Sequence, residues 1–370
     1  MQAQSWTDRE TLLGDWGGLR TKAQEHGISF ELMYTAEAFQ NTTGGIKTGG
    51  QYRQDLSLTI GLDTSEAGWW DNGEFFAHYQ FQHGAGITED YVGDFQTLSN
   101  IDADNYDQLS EIWYKHSFAD DSLWLKFGKM ESNEDFAFVD YGGEFINSSP
   151  GFSPSIPLVT YPDQDWGVVL GIEKSERVTV NIGIYQGRNN GSRSTGNTAN
   201  NLYGPMAMIE PALHYSLGTK PGHLRLGYWY NGDNFERFDG TGNEDGTDGF
   251  YLTWDQSLSK EDEKGLGVFA QFGLSPGDVV EAENYYGAGI RYAGQVLYNE
   301  NDFIGFGIFH VDLSHEAGFD ENSETAIELY YKLQPTGWMS IKPDLLYILN
   351  SGGSHKDDAF ALGLRFEVTF

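Results

Sequence analysis

One pattern limits what this chain can fold into more than any other: apolar and polar residues alternate with a period of two, repeatedly, from Gly27 to Phe370. In residues 28–38 the even positions Ile28, Phe30, Leu32, Tyr34, Ala36 and Ala38 are apolar or small, and Ser29, Glu31, Thr35 and Glu37 between them are polar. Side chains of a strand point alternately to opposite faces, so this segment is a strand with one oily face. Leu56, Leu58, Ile60 and Leu62 alternate with Asp55, Ser57, Thr59, Gly61 and Asp63, and Phe75, Ala77, Tyr79 and Phe81 repeat the pattern. The same test marks 112–118, 123–127, 166–172, 178–184, 209–217, 224–230, 250–254, 266–272, 286–292, 303–311, 325–333, 341–349 and 360–370, sixteen segments in all.

Sixteen is an even number, which puts both termini on one side, as single-chain outer-membrane barrels require. Connection lengths agree. Residues 119–121, 174–177 and 218–222 are short turns, whereas 84–107, 131–165, 188–208 and 232–249 are long and polar. That alternation of short periplasmic turns and long external loops belongs to such barrels, although 259–264 and 295–302 are long for turns. The reading is an all-β, 16-stranded antiparallel transmembrane β-barrel spanning 27–370. Residues 1–26 form a periplasmic segment with a short helix expected over 12–26. No window of about 18 apolar residues exists, so no transmembrane helix is expected. Met1 to Ser5 lacks a basic and apolar leader, which reads as a mature chain with a start Met in place of a signal peptide.

Composition closes several alternatives. The absence of cysteine removes disulfide frameworks, thiolate metal sites and cysteine nucleophiles. A net charge of −33 leaves nothing to neutralise phosphates, so nucleic acid is excluded as a partner. The 10 Trp, 21 Tyr and 24 Phe forbid a disordered chain and supply an interfacial girdle, with Trp69, Trp70, Trp166, Trp254 and Trp338 at strand ends. The last strand, Phe360, Leu362, Leu364, Phe366, Val368 and Phe370, alternates to a terminal phenylalanine that looks like the signal read by the outer-membrane assembly machinery. A soluble protein rarely ends on an exposed oily strand, which invites aggregation.

The run LGDWGGLR, Leu13 to Arg20, followed by Gly27 and Ile28, resembles the amino-terminal signature of the OprB-type carbohydrate-selective porin family. WLKFGK at 124–129 and YPDQDWGVVLG at 161–171 are similar to further stretches of that family. The resemblance implies a 16-stranded outer-membrane channel for passive sugar diffusion, narrowed by an inward-folded loop. Barrel size agrees, because sixteen strands leave a water-filled lumen.

If the apolar positions face lipid, their neighbours face the pore. Glu31, Asp55, Glu111, Trp113, Lys115, Lys126, Arg225, Trp229, Arg291 and Arg365 are the expected pore residues, with Glu37, Trp124, Glu173, Glu210, Lys342, Asp344 and Glu367 of the same parity. Lys129, Glu131, Asp135 and Asp140 are expected at a constriction formed by the loop 131–165, which four prolines stiffen. Charges of both signs exchange water for sugar hydroxyls, and indole rings take the CH-rich sugar faces. A general cation-preferring pore, to which acidic loops lend themselves, and a barrel whose loops serve adhesion are the alternatives.

No cofactor is required. The stretch DGTGNEDGTDG at 239–249 could place oxygens of Asp239, Asn243, Asp245 and Asp248 around one structural calcium, although it departs from the EF-hand spacing. His214 and Ser216 form a pair like that of outer-membrane phospholipases, yet Leu213, Tyr215 and Leu217 put it in the lumen, away from lipid. The Gly-x-Gly pairs at 265–267 and 287–289 read as clearance for neighbouring side chains. The remaining expected partners are small carbohydrates and the lipid and lipopolysaccharide of the outer membrane. Alternation is the same beside lipid or protein, so a monomer and a homotrimer both fit.

Overall fold

A computed structural model of the chain describes residues 6–120, 122–186, 204–259 and 264–370. The strands are β1 (Ile28–Thr43), β2 (Gly49–Asp63), β3 (Gly73–Gly84), β4 (Tyr106–Phe118), β5 (Leu123–Met130), β6 (Asp165–Ser175), β7 (Val178–Tyr185) and β8 (Met206–Leu217). They continue as β9 (Lys220–Glu236), β10 (Asn243–Ser257), β11 (Gly265–Leu274), β12 (Ala282–Ala293), β13 (Phe303–Leu313), β14 (Ser323–Thr336), β15 (Met339–Leu349) and β16 (Ala359–Thr369). Each pairs antiparallel with its sequence neighbours, and β1 closes the barrel on β16 with Glu37 opposite Arg365 and Ala36 opposite Phe366. A closed sheet leaves no unpaired edge, which is what lets a β structure cross hydrocarbon. No helix among the described residues is long and apolar enough to cross a membrane.

Outward positions carry the oily half of the alternation. Ile60, Phe127, Val168, Ile184, Leu226, Phe250, Phe306 and Leu364 are all exposed. A contiguous belt of this kind is prohibitive in water and appropriate in lipid. The buried residues lie on the other face. Phe145 meets Phe269, Phe309 and Tyr330 edge-on at 5.6, 5.4 and 5.0 Å, contacts worth roughly 0.5–1.5 kcal/mol each beyond their area. A second cluster joins Phe136, Ile156 and Leu158 to Tyr185, Met208, Trp229 and Tyr251 of β7 to β10.

Three expectations are corrected. The helix α1 is confined to Leu19–Gln24, because Gly14, Trp16, Gly17 and Gly18 all have positive φ and hold the preceding segment in turns. The connection 232–249 is mostly strand: β9 and β10 run on as a hairpin, leaving 237–242 as its tip. Trp338 is buried under Trp6, ring centroids 4.6 Å apart, and so is not a girdle residue. Most of the expected loop 188–208 and part of 259–264 lie outside the described residues.

The LGDWGGLR run has a definite mechanical place. Asp15 accepts hydrogen bonds from the amide and hydroxyl of Thr21, at 2.8 and 3.0 Å, across the turn. Arg20 then reaches the seam between first and last strands, donating to the main-chain oxygens of Phe30 at 3.0 Å and Phe370 at 2.7 Å. Its guanidinium also lies 4.6 Å from the Phe30 ring centroid. The Leu12 amide donates a hydrogen bond to the Thr369 carbonyl at 2.8 Å.

Candidate functional site: the inner wall and the loops it holds

The connection between β5 and β6, residues 131–164, is fastened along its length to side chains of the polar face of the barrel. Glu328 of β14 accepts the amides of Ile146 and Asn147 at 2.7 and 2.9 Å. Glu210 of β8 accepts the amide of Ala137 at 2.8 Å, and Tyr251 donates to the same carboxylate at 2.7 Å. Gln271 of β11 donates to the carbonyl of Pro150 at 3.0 Å. Buried main-chain polar groups need partners, and a loop without a ladder of its own takes them from the wall.

Ion pairs reinforce these bonds. Lys126 lies 2.7 Å from Asp135 and 3.2 Å from Glu134. Asp140 meets His223 at 2.5 Å and Arg225 at 3.3 Å, and Arg225 also holds Asp255 at 2.7 Å. Burial alone would raise the Asp140 carboxyl, but His223 and Arg225 hold it below the usual range. Glu144 sits between Lys332 and Lys342, each 2.9 Å away. Burial again opposes ionisation there, and the two ammonium groups overcome it and bring the carboxyl down to about 2.

The connection 85–105 is held in the same way, again in part by β14. Glu324 of β14 accepts the amides of Phe95 and Gln96 at 2.7 and 2.9 Å. Arg365 bonds Glu37 at 2.8 Å and Asn100 at 2.7 Å, and Ser99 donates to Glu37 at 2.5 Å. The two loops are joined directly by the Asn100 amide on the Ile146 carbonyl at 2.8 Å.

Several expected pore residues are therefore anchors. Glu111, Lys126, Arg225 and Arg365 are each at most 5% exposed. Asp55 is buried on β2 opposite Gln82. Trp229 is fully buried among the loop residues Phe136, Ile156 and Leu158, so its indole does not face water. Lys129 has the outward parity, in register with exposed Ile112 and Trp166, and its ammonium turns to the Leu109 carbonyl at 2.8 Å, where the β3–β4 register shifts. Its sequence neighbour Lys126 has the inward parity, and an odd step of three residues cannot share it.

Other expected residues keep part of their surface exposed. Glu31 is exposed on β1. Trp113 stacks on Phe76 at 4.9 Å and 22°, with Lys126 4.9 Å from its ring centroid. Lys115 lies 4.7 Å from the Trp124 ring. Arg291 lies 5.0 Å from the Tyr141 ring and 5.4 Å from Phe303. Glu131 sits at the start of the loop, with Gln164 donating to it at 2.7 Å. Burial, then Glu111 and Glu134, push its carboxyl up to about 8.

Arg53, Glu324, Glu328 and Lys332 were missed. Their signal was present, since Arg53 shares the parity of Asp55 and the other three share the inward face of β14. The glycine pairs do provide clearance: a side chain on Gly267 would strike the Tyr141 ring, and one on Gly289 would strike Phe269 and Phe145. His214 bonds Thr179 at 3.0 Å and meets the His223 ring edge-on at 4.9 Å.

The calcium expectation is not assembled. Asp239 accepts from the amide and hydroxyl of Thr241, at 2.8 and 2.7 Å, and faces Arg237 at 3.6 Å. Asp245 accepts from Asn234 at 2.8 Å, Asn243 also donates to Asn234, and Asp248 stands opposite Tyr230 beyond an irregularity in the hairpin. Among the described residues no three His, Cys, Asp or Glu side chains gather around a metal-sized space.

The chain is 26% identical to Porin B of Pseudomonas aeruginosa, over 97% of this chain and 91% of that protein. It is 23% identical to the putative porin QuiX of Acinetobacter baylyi, over 98% and 94%. Its fold is similar to the high-pH structure of OprB from Pseudomonas putida, with a TM-score of 0.89 at 23% identity over 99% of this chain and 100% of that one. The low-pH structure of the same protein gives 0.67 at 21% identity, over 98% and 99%. Residues 47–370 match the profile of the carbohydrate-selective porin, OprB family, and the chain belongs to that family.

Proposed function

We propose that this chain is a passive, carbohydrate-selective channel of a bacterial outer membrane, with no catalytic step, cofactor or energy coupling. The observation that supports a sugar path beyond family membership is the half-buried band of Phe76, Trp113, Lys115 and Trp124, aromatic faces beside ammonium groups. CH-rich sugar faces lie on such rings, and hydroxyls find charged partners that are stronger than neutral ones. The 131–164 loop, held against the polar wall, narrows the path and sets the size limit. The long loops face outward from the cell, and the short turns with both termini face the periplasm. Acidic outer loops meet lipopolysaccharide through divalent ions, and the strand ending at Phe370 is the contact for the assembly machinery. Either a monomer or a homotrimer is compatible with the exposed belt.

Liposome swelling tests this reading with sugars and amino acids of matched size. Faster entry of sugars supports it, and equal rates reject selectivity. A general cation-preferring pore is the second reading. The feature that favours it is the 131–164 loop, which carries Glu131, Glu134, Asp135, Asp140, Glu144 and Asp163 and no Lys or Arg. Reversal potentials in a salt gradient separate the two.

A further inference from the structure

We propose that the space between the 85–105 and 131–164 loops is a two-compartment site for a linear, neutral oligosaccharide, which engages neighbouring glycosyl units before they reach the narrow part of the channel. This rests on the porin reading and names a substrate class for it. Two cavities meet here. One, of about 360 Å³, has Phe95, Phe152, Tyr161 and three prolines in its wall. The other, of about 470 Å³, has Arg53, Glu89, Asp90, Asp102 and Asp104. Thr97, Asp102 and Pro162 line both, so the compartments share a partition. Each volume falls in the range of about 300–1,000 Å³ usual for small-ligand sites.

The chemistry of the compartments differs. Phe152 and Tyr161 stand nearly parallel, 23° between planes and 6.5 Å between centroids, and offer flat apolar surface to the CH face of a pyranose. The second compartment is polar. Arg53 is 4% exposed and lies 3.4 Å from Asp102, yet its Nε and Nη1 have no hydrogen-bond partner. Buried guanidinium nitrogens are almost always paired, so Arg53 has donors to spare for acceptor oxygens, which sugar hydroxyls possess.

Asp102 offers the complementary acceptor and is itself set in place by the Thr88 amide at 3.1 Å. Four acids against one guanidinium repel uronic acids and phosphorylated sugars, which leaves neutral chains.

The partition carries a third, independent sign. Thr97 has φ of +57°, a conformation that costs a β-branched residue energy and that persists only where the surroundings impose it. Its carbonyl is held by the Ser148 amide of the other loop at 3.2 Å. Strain of this kind concentrates where a ligand is clamped, and here it stands where two linked glycosyl units would join.

The test is sugar block of ion current through the full chain in a planar bilayer, with sugar added separately to the long-loop side and the turn side. Glucose, maltose, maltotriose and cellobiose serve as neutral probes, and digalacturonate as the anionic one. From the loop side, one of the disaccharides should block at roughly a tenth of the glucose concentration, and digalacturonate should not block. Asp102→Asn and Phe152→Ala should each weaken loop-side disaccharide block by roughly three- to tenfold. Phe152→Leu, which keeps the packing volume and loses the ring, stands in if the alanine variant does not insert.

No gain from glucose to either disaccharide, block of equal strength from the two sides, or variants indistinguishable from the parent would each overturn the two-compartment site. Glucose-driven liposome swelling would persist in all three cases. Only its loss in the parent protein would strike the porin reading itself.

Discussion

Glu144 and Glu131 stand at opposite ends of the electrostatic range in one loop. Glu144 is held down near 2 against its burial by Lys342 and Lys332. Its pairing therefore stabilises the loop fully above the ordinary carboxylate range, near 4.3, and is lost as pH falls toward 2. Glu144→Gln strands Lys342 beside a neutral group and leaves Lys332 with Glu367 alone at 3.6 Å, at a cost of about 3 kcal/mol. Hydrogen exchange of the Phe145 to Asn147 amides should then accelerate about 100-fold, and unchanged protection would deny Glu144 this holding role.

Glu131 has the opposite sign. Its carboxyl is pushed up to about 8 by burial and by Glu111 and Glu134, with His78 of β3 opposing. Its neutral form favours the folded loop, a contribution complete below about 4.3 and gone once pH passes about 8. Cation preference measured by reversal potential should rise between about pH 6.5 and 9, because a new negative charge appears beside the path. Glu131→Gln should flatten that rise, and a rise that survives the substitution belongs to another group.

At the scale of elements, the 131–164 loop owes its position to wall carboxylates more than to its own chain. Glu328→Ala removes the acceptor of two buried amides, each worth about 1–3 kcal/mol when left unsatisfied. The segment around Ile146 should loosen, with larger and noisier single-channel conductance and reduced discrimination between sugars and amino acids. An unaltered conductance would place the narrowing elsewhere. The strands themselves were legible, because period-2 alternation is a local property and the sixteen segments each contain their own evidence.

Strand ends were less so. Residues 232–249 are polar on both faces, and alternation has nothing to mark once a hairpin rises above the lipid. The helix was overextended because left-handed backbone at Trp16 and its glycine neighbours leaves no trace in a spacing of charged residues. Parity also identified Arg225, Arg365 and Lys126 as inward. That Arg225 and Arg365 serve to hold loops, and that Trp229 lies beneath one, depends on contacts more than fifty residues apart in sequence, which no local pattern contains.

For the whole molecule, a net charge of −33 acts over distances that salt controls. The Debye length is about 10 Å at 0.1 M and about 3 Å at 1 M, so exposed acids steer cations only in dilute salt. The potassium to chloride permeability ratio should fall toward one between those concentrations, and a constant ratio would assign selectivity to shielded charges at the narrowing. The closed barrel and its lipid belt followed from the sequence because one solvent rule governs every strand alike. The loop packing did not, because it obeys no repeating rule.

The acids that position the two loops grip main-chain amides: Glu210 at Ala137, Glu328 at Ile146 and Asn147, Glu324 at Phe95 and Gln96. Every residue except proline presents that same group. Side chains along the loops are thus free to diverge while the trace stays put, and a lineage can rewrite what its channel admits one substitution at a time, without first having to rebuild the framework beneath them.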